Sequence, residues 1–244
     1  MKALAGYRAA LAVLLLAVLT LSSCTRDTSW NQRLTLIIET PQGEVRGSAV
    51  TRVTKTETSG SLVLPEARGV RSKVTGEAVV VEVAPGKFLF ALLSGSGEEK
   101  RDATHWVYPA YQLSEAGSYG GAMMKLQAQP HDTPVPLPPE GWPMLVTFDD
   151  ITKPETVRPV NAEDLAAVFG EGVRLKAVTL EITQEAVTEG RVEGVLGWWP
   201  QMRTGPYNEM ASLRLPDESP RGWDDLTALQ FWSLDRVLEM TKRQ

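Results

Sequence analysis

Residues 77–93 read EAVVVEVAPGKFLFALL. Val79, Val81 and Val83 recur at every second position, the period of a strand with one buried face. Pro85-Gly86 then interrupts the pattern. Proline presets φ and glycine takes a positive φ without strain, so the pair suits a type II turn. Lys87–Leu93 is apolar at both parities, as expected of a strand covered on both faces. The stretch therefore predicts a hairpin whose second arm lies inside a sheet.

Working outward, more strands appear. Residues 33–39 (RLTLIIE) place Leu34, Leu36 and Ile38 on one face, Pro41 and Gly43 supply a turn, and residues 44–57, rich in Val and Thr, return. Residues 58–75 and 94–104 read as polar loops. Residues 130–143 (PHDTPVPLPPEGWP) hold six of the 16 prolines. Proline removes backbone donors and restricts its predecessor, so neither ladder nor helix is expected there. That segment is either a linker between domains or a strap between two halves of one domain. We take it as a strap within a single domain spanning 31–244.

After the strap, Met144–Phe148 reads as a strand. Asn161 is a suitable N-cap, with Asp164 at the third helical position, Leu165, Val168 and Phe169 as the apolar stripe, and Gly170 as terminator. In GVRLKAVTLEIT (172–183) the apolar phase shifts from Val173 and Leu175 to Val178, Leu180 and Ile182. A strand changes phase only through a bulge or a change of buried face, and a bulge is expected near Lys176-Ala177. Thr188 would cap a helix carrying Val192, Val195, Leu196 and Trp199, ended by Pro200. A strand at 229–232 and a helix capped by Ser233 would follow. The sum is an α+β fold: a mainly antiparallel sheet with a few short helices in the C-terminal half.

The N-terminus has a different character. Lys2 and Arg8 precede an apolar run, Leu11–Leu21, that is shorter than the roughly 20 residues a bilayer span needs. Then comes LTLSSCTRD (19–27), with Cys24 the chain's single cysteine. Leu21-Ser22-Ser23-Cys24 resembles the lipobox of bacterial lipoproteins. The resemblance implies a signal peptide over 1–23, cleavage after Ser23, lipid attachment to the Cys24 sulfur and acylation of the new amino terminus. In Gram-negative members an Asp after the cysteine favours inner-membrane retention. Thr25 stands there, which implies the outer membrane, facing the periplasm. Residues 24–30 would be a short tether. Residues 142–199, and more weakly 33–54 and 74–93, resemble uncharacterised proteobacterial lipoproteins, a likeness that implies no activity or site.

Charge narrows the partners. The leader carries two of the 25 Lys and Arg and none of the 30 Asp and Glu, leaving the remaining 221 residues at −7. Nucleic acid, whose phosphates require cationic contacts, is not an expected partner. Nor would the acidic chain be drawn to anionic headgroups, so attachment falls to the lipid. With Cys24 used, no disulfide, thiol nucleophile or cysteine metal site remains.

Candidate chemistry is sparse. His105 and His131 lie 26 residues apart without ligand spacing, and no metal or cofactor is expected. No GxSxG elbow occurs. Asp149-Asp150 is the best carboxylate pair, usable for acid–base work. Adjacent strand residues point to opposite faces, however, and Asp before Thr152-Lys153-Pro154 also suits a turn. Trp198, Trp199 and Tyr207 form a candidate binding surface, with burial of both indoles as the plainer alternative. These features support a non-catalytic binding, assembly or inhibitor protein of the envelope, with an envelope protein or glycan as partner. The alternative is an envelope hydrolase using carboxylates on glycan or peptide.

Overall fold

The predicted hairpin is present in the computed structural model, which describes residues 24–60, 63–95, 102–198, 212–214, 225–227 and 231. Its arms are β4 (Val79–Ala84) and β5 (Lys87–Gly95), with Val79 opposite Ala91 and Gly86 at φ 72° in the turn. β5 pairs on its other side with β7 (Pro143–Phe148), and β7 with β8 (Val157–Val160), giving the order β4-β5-β7-β8.

A second sheet has five strands. β1 (Cys24–Thr40) and β2 (Gly43–Ser59) flank the Pro41-Gln42 turn, and β3 (Gly69–Thr75), β6 (Val135–Pro136) and β9 (Arg174–Thr183) complete the order β3-β2-β1-β9-β6. β10 (Ser212–Arg214) and β11 (Asp225–Thr227) make a separate pair. The pairings β1–β9, β6–β9, β4–β5, β5–β7, β7–β8 and β10–β11 are all antiparallel. Helices are short: α1 (Val107–Ala110), α2 (Tyr119–Gln127), α3 (Ala166–Phe169) and α4 (Arg191–Val195). The fold is α+β with the sheets dominant. None of the helices among the described residues is long and apolar enough to cross a membrane.

The chain divides into two units. One gathers residues 24–28 and 54–72; the other holds 29–53 and the described residues from 73 onward. Within the larger unit, β5 explains the layering. Leu89, Ala91 and Leu93 join a core with Leu34, Leu36 and Ile38 of β1 and Val178, Leu180 and Ile182 of β9. Phe90 and Leu92 point the other way, into a cluster with Met144, Val146 and Phe148 of β7, Val192, Leu196 and Phe231. A run apolar at both parities is therefore a strand buried on both faces. Gly47 lets β2 approach β4: a Cβ there would lie 2.3 Å from Val81 Cγ2 and 2.6 Å from the Val80 carbonyl oxygen.

The phase change in β9 is a bulge. Ile37 faces Ala177 and Ile38 faces Leu175, which leaves Lys176 without a cross-strand partner. Its ammonium reaches Glu44 at 2.7 Å.

Several expectations differ from the structure. Residues 24–30 are the start of β1 rather than a tether, because Thr28 and Trp30 are buried and the Trp30 indole donates to Gln32. Residues 69–75, expected as loop, form edge strand β3, which its polar, exposed residues disguise. The proline-rich segment does make a short ladder: Val135 faces Leu180, and the N–H groups of Asp132 and Leu137 donate to Ile182 and Val178. Non-proline residues between the prolines supply those donors, and residues on both sides belong to the same unit. Helices α1 and α2 precede that segment. The Asn161 helix is shorter than expected: Asn161 accepts from Glu163, while Asp164 accepts the Ala167 N–H. Thr188 caps no helix, since its hydroxyl and N–H are engaged by Val50 of β2.

Candidate functional site

Two features that the sequence keeps 47 residues apart meet at the β7–β8 corner. The Trp198 indole N–H donates to the Ile151 carbonyl at 2.7 Å, next to Asp149-Asp150. Trp198 is half-buried and stands edge-on to Phe148, 5.8 Å between ring centres. Phe148 in turn packs edge-on against Phe90, a geometry favoured by the ring quadrupoles.

The corner is closed by its own hydrogen bonds. Asp150 Oδ1 accepts from the Thr152 N–H at 3.0 Å and the Thr152 hydroxyl at 2.6 Å, and Lys153 Nζ lies 3.3 Å from the other oxygen. The Thr156 hydroxyl accepts the Asp150 N–H and has the Lys153 and Asp150 carbonyls, at 2.7 and 2.9 Å, as alternative acceptors for its one proton. Asp149 points to Arg158 at 2.7 Å. The Thr152 hydroxyl, then the Thr152 N–H and Lys153, hold the Asp150 carboxyl below the usual carboxylate range. A carboxyl so stabilised in its charged form is a poor proton donor near neutrality. Each of the two aspartates is engaged by its own cation.

Cys24 is the first residue of β1. Ser23, Trp199 and Tyr207 lie outside the described residues, as does the expected 229–232 strand except Phe231, which is helical. His105 sits in a turn with Asp102 and Thr104. Its Nδ1 is 3.3 Å from Asp102, and the Thr104 hydroxyl is 2.6 Å from the same oxygen. Burial pushes the Asp102 carboxyl up, but hydrogen bonds from His105 and Thr104 outweigh it, and the group lies below its usual range. His131 bridges Ile182 through its backbone. Among the described residues, no group of three or more His, Cys, Asp or Glu could hold a metal ion.

Two polar arrangements escaped the sequence reading. Glu77, buried at 1 % exposure, accepts the N–H groups of Gly190 at 3.0 Å, Arg191 at 2.9 Å and Val192 at 3.4 Å. It caps α4 from a position 113 to 115 residues away. Arg33 pairs with Glu181 at 3.1 Å and with Glu185, and approaches Asp132 at 4.0 Å. Arg33 and Glu181 are cross-strand neighbours, so register alone would have revealed that pair. Nothing local marks Glu77, whose partners come only with the fold.

Compared with family models, curated proteins and solved structures, the chain has no significant match in any of the three.

Proposed function

We propose that this protein is a lipid-anchored component of the bacterial cell envelope that binds or assembles, an inhibitor role included, rather than catalyses. In this reading acyl chains on Cys24 hold it at the outer membrane, facing the periplasm. The observation that carries the reading is the sequence LTLSSC ending where β1 begins. A mature chain starting at Cys24 would lead from its lipid into the sheet without a stalk. One acyl chain binds a membrane only marginally, whereas two or more on one residue hold it stably.

Its partner is an envelope protein or glycan, and the β7–β8 corner with Trp198 is the proposed contact; Trp199 and Tyr207 are candidates on the sequence alone. Tryptophan beside apolar and charged groups suits such contacts. The hydrolase alternative draws less support, because Asp149 and Asp150 are engaged by Arg158 and Lys153.

Globomycin, which blocks the lipoprotein signal peptidase, tests the anchor. Accumulation of the unprocessed chain is expected, with Cys24→Ala leaving the chain unprocessed whether or not the drug is present; no accumulation overturns it. Crosslinking of the lipidated protein in intact envelopes, with Trp198→Ala as comparison, tests the partner surface. An adduct unchanged by that substitution removes the corner from the proposal.

A further inference from the structure

The smaller unit carries an arrangement that whole-chain charge conceals. The turn at Pro41-Gln42 sets the β1–β2 register, and the Thr56 hydroxyl donates to Asp27 at 2.6 Å. In that register Cys24 stands at the same end of the hairpin as Ser59, the last residue of β2. The chain that follows, Val63–Arg71, is ordered by its own bonds. The Ala67 N–H donates to the Leu64 carbonyl at 2.9 Å, the Arg68 N–H to Pro65 at 3.2 Å, and the Arg68 side chain to the Val63 carbonyl at 2.9 Å.

Val63 is buried, yet Leu64 is 70 % exposed and Val70 42 %. These are two of the three large apolar side chains exposed among the described residues; Met124 is the third. Pro65 restricts Leu64 to an extended backbone (φ −55°, ψ 141°), so the hydrogen-bonded turn holds that side chain outward. Arg26, Arg68 and Arg71 are exposed in the same unit, and Val63–Arg71 itself carries two of these arginines against one acidic residue, Glu66. The full chain is at −5. Screening confines charge effects to about 8–10 Å, so the local balance governs contact with a charged surface.

We propose that the Val63–Arg71 turn is a membrane-contact element. Leu64 and Val70 enter the boundary between headgroups and acyl chains, and Arg68 and Arg71 meet anionic headgroups, their stems along the apolar layer. The inference rests on the lipid anchor at Cys24, which would bring this end of the hairpin to the bilayer. It also revises the expectation that the lipid alone makes the attachment. The partner is the lipid surface; a covering protein is the competing outcome.

The test uses the full chain purified with its lipid. Once Cys24 is acylated, Leu64→Cys or Val70→Cys supplies the single free thiol for an environment-sensitive fluorophore. The protein is then placed on vesicles of phosphatidylethanolamine and phosphatidylglycerol. Blue-shifted emission quenched by a headgroup-region nitroxide lipid is expected from both positions, weaker on vesicles without phosphatidylglycerol and in an Arg71→Glu background. Water-like, unquenched emission from both probes while the protein floats with the vesicles overturns the proposal. So does a shift that appears only on crosslinking to an envelope protein. Mass spectrometry of the N-terminal peptide reports the anchor separately. If Cys24 is unmodified, the anchor fails, and the probe is read in a Cys24→Ser background. Unquenched emission there overturns the membrane contact as well.

Discussion

The Glu77 carboxylate accepts the backbone N–H of Arg191 at 2.9 Å and closes the first turn of α4 from two residues ahead of β4. Helix N-termini present unpaired N–H groups with partial positive charge. A buried carboxylate answers both needs, and its own desolvation is offset by the bonds it receives.

Removing that carboxylate should be costly. Glu77→Ala leaves the Gly190, Arg191 and Val192 donors without this acceptor at a partly buried helix start, and each unsatisfied buried group costs about 1–3 kcal/mol. Allowing for partial relaxation, a loss of about 2–4 kcal/mol is expected by urea denaturation, with Glu77→Gln milder because one oxygen remains. A change below about 0.5 kcal/mol, the range of ordinary surface substitutions, would show that the cap is dispensable.

Gly47 tests the approach of β2 to β4. Gly47→Ala places a methyl group 2.6 Å from the Val80 carbonyl oxygen, which is backbone and cannot swing away. Overpacking of this kind costs about 1–3 kcal/mol. Thermal unfolding should register it as a lower Tm. An unchanged Tm would mean that the strands separate at no cost.

At the β7–β8 corner the indole bond and the ring contact can be separated. Trp198→Phe keeps an aromatic ring against Phe148 but drops the donor to Ile151, for an expected loss of about 1 kcal/mol. Trp198→Ala removes both and should cost more. If the two variants are equally stable, the ring contact with Phe148 contributes nothing.

Acid titration addresses Asp150. Its carboxyl in the folded chain lies below the unfolded value, which is about 3.9. A depressed value means that its contribution is present above the unfolded value and is lost as pH falls through the folded one. Thr152→Val removes the hydroxyl donor and should raise the Asp150 value toward the ordinary range, read by carbon NMR of the carboxyl. No movement would show that the Thr152 hydroxyl does not hold the charge.

The legible parts of the fold were those written in local period. KFLFALL announced a strand covered on both sides because no residue on either face is charged after Lys87. The phase change in GVRLKAVTLEIT located the bulge at Lys176 because a two-residue repeat cannot absorb an extra residue silently. β3 was not legible: as an edge strand exposed over its first five residues, GVRSKVT carries no alternation. The proline-rich ladder was missed because its donors are single residues between prolines, judged only by what lies alongside.

The sequence by itself determined the sheet-rich class, the β4–β5 hairpin and the position of Cys24 relative to an apolar run. Each depends on neighbours within a few residues. Only the tertiary structure decided that Glu77 caps α4, that Trp198 closes the turn at Ile151, and that Leu64 stands outward at the Cys24 end of the hairpin. Those relationships join residues 40 to 115 positions apart. They exist because buried donors must find acceptors and glycine and proline set where the backbone can pass, conditions that no short window of sequence contains.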